Sequence, residues 1–244
     1  MIRINNILGY QDLKIYQDDQ FFCFSLDSII LANYSSLRLR DKNIVDFCTG
    51  NGVVPIILSQ RCNKNIDGVE IQKKLADLAF KSVSINNLDS RINIINQDVK
   101  DFSLDSDNLN KYDLVLCNPP YFKNDLNSAK NLSYEKMIAR HEICINLDEV
   151  CSCAKKVLKD NGNLCIVHRS DRLMDILASF RSNNIEPKRI KFVYENINSL
   201  SFLVLVEGQK CGSVGLKVES PLIMYNLDGS ETFEYSKLQE EVIK

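Results

Sequence analysis

Asn118-Pro119-Pro120-Tyr121 is the stretch best equipped for chemistry. It follows Tyr112-Asp113-Leu114-Val115-Leu116-Cys117, an apolar run that predicts a buried strand. Pro119 has no N–H and restricts the residue before it, so the strand must stop at Asn118. The Asn118 side-chain carbonyl and the Pro119 backbone carbonyl can both accept N–H bonds from one NH2 group. Tyr121 can stack on the plane that carries the NH2, worth roughly 1–3 kcal/mol for a base. Read alone, the four residues serve equally well as a strand terminator with a buried ring.

Carboxylates end the strands that come before it. Asn43-Ile44-Val45-Asp46-Phe47 predicts a first core strand, which runs through Cys48-Thr49-Gly50-Asn51-Gly52 into a helix reaching Gln60. Pro55 falls in that helix's first turn, where a missing N–H costs nothing. A strand, a glycine-rich turn and a helix start allow a ligand to approach the backbone closely. Asp46 at the strand end, and Pro55 where a dinucleotide fingerprint has Gly or Ala, argue against a pyrophosphate. Both favour a smaller ligand bearing an amine. Asn65 to Glu70 predicts the second strand, and Glu70 can accept hydrogen bonds from both hydroxyls of a ribose. Arg91 to Ile95 predicts the third, followed by Asn96-Gln97-Asp98. Asp98 suits the amino group of an adenine or, on residue type alone, a helix cap.

The elements that position these groups alternate strand with helix. Residues 1–24 predict one or two hairpins. Ser25 or Asp27 can cap a helix running to Tyr34, which covers either the core or a ligand. Gln72 to Asn87 shows helical periodicity in Leu75, Leu78, Ala79 and Val83. Phe122 to Arg140, rich in Asn, Lys and Ser, reads as a lid. A helix from Leu147 to Leu158 is expected to stop at Asn161-Gly162, before a fifth strand from Asn163 to His168. Asp171 to Phe180 predicts another helix. Lys188 to Tyr194 and Ser201 to Val206 predict a closing antiparallel pair across a short polar turn. The tail from Gly208 is expected to carry an Asp228-Gly229 turn and no apolar helix. One domain spans 1–244, with an N-terminal cap at 1–42, a core at 43–207 and an extension at 208–244.

Composition narrows the class. Hydrophobic residues make up 45% and charged residues 25%, which suits a globular α/β protein. A net charge of −2 gives no global field for nucleic acid, so any RNA contact must be local. The nine cysteines form no Cys-x-x-Cys pair, which argues for reduced thiols and against a zinc ribbon. His141 and His168 have no metal-ligand spacing, and no metal is expected. No signal-peptide pattern and no membrane-length apolar run is visible.

Asp46-x-x-x-Gly50-x-Gly52, Glu70, Asp98 and Asn118-Pro119-Pro120-Tyr121, in that order, resemble the class I S-adenosylmethionine-dependent methyltransferases that act on amines. The resemblance implies a Rossmann-like α/β fold over about residues 26–207, with a seven-stranded, mostly parallel sheet and an antiparallel last strand. More narrowly, the chain resembles the bacterial tRNA (adenine-N6)-methyltransferase family that modifies the adenosine beside the anticodon of a valine tRNA. That likeness lies in Phe24 to Ala32, Asp46 to Gly52, Arg140-His141-Glu142, Val167-His168-Arg169, Pro187-Lys188-Arg189 and Pro221 to Tyr225. It implies S-adenosyl-L-methionine as cofactor and tRNA as partner, with no DNA and no membrane; the cysteines point to the cytoplasm, and a monomer is expected, though the sequence does not give the oligomeric state. Cofactor contacts are then expected from Ser25, Asp27, Asp46, Thr49, Gly50, Gly52, Glu70, Ile71, Asp98, Val99 and Asn118. Asn118, Pro119 and Tyr121 take the catalytic roles, and Lys123, Arg140, His141, Lys188, Arg189 and Lys191 face RNA. Release-factor methyltransferases share the four-residue motif but carry a sizeable helical domain before the cofactor loop, and 45 residues precede Asp46 here. Methylation of a ribosomal RNA guanine, or a non-catalytic RNA-binding module, are the other readings.

Overall fold

The computed structural model describes residues 1–19, 21, 26–119 and 145–239. Ser25, Pro120, Tyr121, Lys123, Arg140, His141 and the lid expected at Phe122 to Arg140 lie outside the described residues. The chain opens with one hairpin, in which β1 (Ile2–Ile7) and β2 (Tyr10–Asp18) pair antiparallel. Gly9 at φ 82° supplies the left-handed residue of its turn. Then come α1 (Leu26–Tyr34), β3 (Asn43–Phe47), α2 (Val53–Arg61) and β4 (Asn65–Glu70). They lead to α3 (Lys73–Ile85), β5 (Ile92–Asn96), the single turn α4 (Val99–Phe102) and β6 (Tyr112–Cys117). The second described stretch holds α5 (Leu147–Val157), β7 (Leu158–Arg169), α6 (Leu173–Ser182), β8 (Ile185–Tyr194) and β9 (Ser201–Lys210). The tail adds β10 (Lys217–Val218), β11 (Leu222–Ile223) and α7 (Phe233–Gln239).

The central sheet runs in the order β10-β8-β9-β7-β6-β3-β4-β5, and β11 also pairs with β8. β3 to β7 are mutually parallel, while β9 is antiparallel to both β7 and β8. Strands buried on both faces explain why their sequences read as continuous apolar runs. Ile44, Leu114, Leu116, Cys165 and Val167 face one core with α1 and α2. Val45, Phe47, Val115, Cys117 and Ile166 face the other with α4, α5 and α6. The period of two along each strand decides which side chain meets which layer. Helix α5 buries Leu147, Val150, Cys151, Ala154 and Val157, one stripe at helical spacing. Its start is fixed by a capping box. Asn146 accepts from the Glu149 N–H at 3.0 Å, and Glu149 accepts from the Asn146 N–H at 2.8 Å.

Two expectations need correction. Asn161-Gly162 does not end α5, because Leu158 is already extended at its C-cap. Asn161, at φ 63°, lies inside β7, where the register with β6 shifts between Tyr112 and Leu114. The left-handed residue makes a bulge there, the second common use of this conformation. The tail carries the expected Asp228-Gly229 turn and more. β10 and β11 extend the sheet parallel to β8, and Leu222, Met224 and the α7 ring of Tyr235 join the core beneath α1. β9 also continues to Lys210, past the expected boundary at 207.

Candidate active site

β3 and β6 are neighbours, yet the chain leaves β3 toward β4 and β5 and returns on the other side to β6. Such a reversal opens a crevice outside the strands' carboxyl ends. Both sequence-predicted clusters end at this crevice. Phe47 and Cys117 are opposite each other in register, so the glycine loop and Asn118 leave adjacent strands at the same level.

The glycine loop has an unusual backbone. Cys48, Gly50 and Gly52 have φ of 57°, 58° and 87°. Gly52 suits glycine because L side chains rarely adopt its φ, and a Cβ there would lie only 3.3 Å from that of Ala79 on α3. The Gly50 N–H donates to Glu70 Oε2 at 2.9 Å, and the Gln72 N–H donates to Oε1 at 2.9 Å. Glu70 therefore clamps the loop after β3 to the turn after β4. Burial raises its pKa, and those backbone N–H bonds oppose the rise.

Asp46 is 1% exposed, and neither carboxylate oxygen has a hydrogen-bond partner. Its burial pushes its pKa up to about 8, and the charge of Glu70 adds to the effect. The Thr49 hydroxyl eases part of this by proximity, but it too completes no hydrogen bond. Two buried acids that no ion pair among the described residues joins to a cation form an arrangement that a positively charged amine would satisfy. Ile71, 41% exposed, offers an apolar surface beside Glu70. These residues fit S-adenosylmethionine, with Asp46 for its amine, Glu70 for its ribose and Ile71 for its base. Val99 is buried, and Asp98 caps α4 by accepting from the Lys100 N–H at 2.8 Å. The capping use of Asp98, open in the sequence, is thus realised.

Asn118 Nδ2 donates to Ser28 Oγ at 3.0 Å, tying the strand end to α1. Asp27 lies in the first turn of the same helix, and Pro119 is buried. His168 is the last but one residue of β7, two positions past Ile166, the register partner of Cys117. His168 Nδ1 accepts from the Arg169 N–H at 2.9 Å, and burial lowers its pKa to about 4. It is a neutral imidazole at physiological pH. Sequence reasoning missed Ser28 and Asn51. Both are ordinary polar residues until the fold brings up their partners.

The basic residues expected to face RNA in β8 have partners within the fold. Arg189 is level with Glu207 and Cys165, well below the strand ends. It donates to Glu219 at 2.6 Å, lies 3.4 Å from Glu207 and stacks 4.4 Å over Tyr34. Lys191 pairs with Glu234, and Lys188 donates to the Ser213 carbonyl at 2.7 Å. The cluster is an internal tie between β8, the tail and the end of α1. Among the described residues no His, Cys, Asp and Glu group can hold a metal, and no helix is long and apolar enough to cross a membrane.

The family described as methyltransferase small domain matches residues 26–192. The chain belongs to that family. This methyltransferase is 30% identical to a tRNA1(Val) (adenine(37)-N6)-methyltransferase of Porphyromonas gingivalis, over 76% of its own length and 79% of the relative's. It is 27% identical to one of Bacteroides fragilis, over 70% and 71% of the two chains. Among solved structures, a predicted O-methyltransferase of Agrobacterium tumefaciens superposes with a TM-score of 0.69 at 19% identity, over 88% of this chain and 95% of that one. P. horikoshii TYW2, solved with MeSAdo, gives a TM-score of 0.60 at 13% identity, over 86% and 72%. The fold is the Rossmann-like one of class I methyltransferases, with its seven core strands in β3 to β9.

Proposed function

We propose that the protein transfers the methyl group of S-adenosyl-L-methionine to the exocyclic 6-amino group of an adenine in tRNA, with adenine 37 of tRNA1(Val) as the target. The observation that carries the reading is the unpartnered, buried Asp46 carboxylate beside the left-handed glycine loop, one strand away from Asn118. The curated relatives' names give the base and the tRNA. The cofactor supplies an electrophilic methyl group when bound. Asp46 and Glu70 would hold its charged and hydroxyl groups. Asn118 and the Pro119 carbonyl accept the two N–H groups of the amine, which turns the nitrogen lone pair toward that methyl. The proton leaves to water afterwards, so no strong base is needed, in keeping with His168, whose lowered pKa makes it a weak one. Catalysis is then positioning and preorganised electrostatics. The adenine must be extruded to reach Asn118, which costs least in a loop. Tyr121 is assigned to stack on it. The reading takes the protein as a monomer, and as cytoplasmic, where tRNA is found. Purified protein, cofactor and unmodified tRNA, followed by mass spectrometry of the nucleosides, form the test. N6-methyladenosine at a single anticodon-loop site is expected. Product at another base, or none with cofactor bound, would reject the substrate.

A further inference from the structure

The side chains that dock the N-terminal hairpin end in the glycine loop. Among the described residues β2 pairs only with β1, so one edge of β2 lacks a strand neighbour there. Side chains meet its backbone on that edge. Asn86 accepts from the Lys14 N–H at 2.9 Å and donates back to the Lys14 carbonyl at 2.6 Å. One helical turn nearer the start of α3, Ser82 accepts from the Tyr16 N–H at 3.0 Å. The Tyr16 carbonyl then takes its bond from Asn51 Nδ2 at 3.3 Å. Asn51 is buried and stands between the left-handed Gly50 and Gly52.

The rest of the loop is tied from within. The Thr49 N–H donates to the Val69 carbonyl at 3.0 Å, the Gly52 N–H to the Thr49 carbonyl at 2.9 Å, and the Gly50 N–H to Glu70. Left-handed residues are not held by intrinsic backbone preference, and glycine adopts many other conformations equally well. The loop keeps its shape through its ties, and the Asn51 tie leads out to the hairpin. We propose that Asn51 is a positioning residue for the cofactor, and that by pinning the glycine loop to Tyr16 it makes the hairpin part of the S-adenosylmethionine site. This rests on the cofactor reading above.

Calorimetric titration of the whole chain with S-adenosylmethionine is the test. Wild-type protein that does not bind would sink the cofactor reading itself. Given wild-type binding, Asn51→Ala and the milder Asn51→Ser should each raise Kd, by about three- to tenfold for Asn51→Ala, the range for one lost hydrogen bond. In turnover, KM for the cofactor should rise by more than kcat falls. Asn86→Ala, at the far end of α3, should also raise Kd, and the Asn51→Ala/Asn86→Ala pair should cost less than the product of the two single effects, because both act through β2. Variants that lose melting temperature but keep Kd within about twofold would mean that Asn51 only glues the hairpin down, and would overturn the proposal. So would a weakened Asn51→Ala beside an Asn86→Ala of wild-type affinity, since Asn51 would then act without the hairpin.

Discussion

Asp46 carries its carboxylate in the core with both oxygens unbonded, and its pKa stands near 8. The folded, ligand-free chain therefore holds a proton that the unfolded chain gives up in the ordinary carboxylate range. A raised folded pKa means stability that is full in acid and falls as pH climbs from about 4 through about 8. Asp46→Asn should stabilise the ligand-free protein at pH 8 by about 1–3 kcal/mol, the scale for a buried polar group left unbonded. It should also abolish cofactor binding. Thermal melts across pH, with and without cofactor, read both effects, and equal melting of the two proteins at pH 8 would deny that the charge is unpaired. Asn118→Ala should slow single-turnover methylation by about 10²–10³, the usual cost of one preorganised group, while cofactor affinity stays within a few-fold. Wild-type rates in that variant would reduce Asn118 to a strand terminator. Asp46, Gly50, Gly52, Glu70 and Asn118 were legible because each lies next to a strand end that its own neighbours define. Ser28 and Asn51 were not, since their partners are 90 and 35 residues away.

Among the elements, β3, β4 and β6 have the ends expected from sequence, because their apolar runs are bounded by polar or proline residues. β7 was mis-bounded because Asn-Gly signals a left-handed residue without saying whether it caps a helix or bulges a strand. The partners of the basic run of β8 were hidden for a related reason. Lys188, Arg189 and Lys191 look like a charged surface until the fold delivers Ser213, Glu207, Glu219 and Glu234 to them. Arg189→Ala should cost about 3 kcal/mol in chemical denaturation, because it leaves the buried Glu207 carboxylate without its cation. The slope of tRNA affinity against log salt should not change, whereas a true phosphate contact would remove about 0.7–0.9 from it. A flattened slope with unchanged stability would return Arg189 to the RNA surface. Asn146→Ala, which opens the α5 capping box, should cost about 1 kcal/mol in the same denaturation measurement.

For the molecule as a whole, the sheet divides its labour. The site draws its described residues from the hairpin, α1 and the strands β3 to β6, while β7 to β11 and α7 buttress the far side. The reversal between β3 and β6 lets one crevice take a cofactor on one strand end and a base on the next. It also sets the charge at which the protein works. The ligand-free site is built around an uncharged acid at Asp46, and a bound amine demands the charged one. Cofactor binding at neutral pH must then release about one proton into solution. The heat measured on binding at neutral pH will accordingly differ between phosphate and Tris by the difference in the two buffers' ionisation enthalpies, and equal heats in the two buffers would mean that no proton leaves.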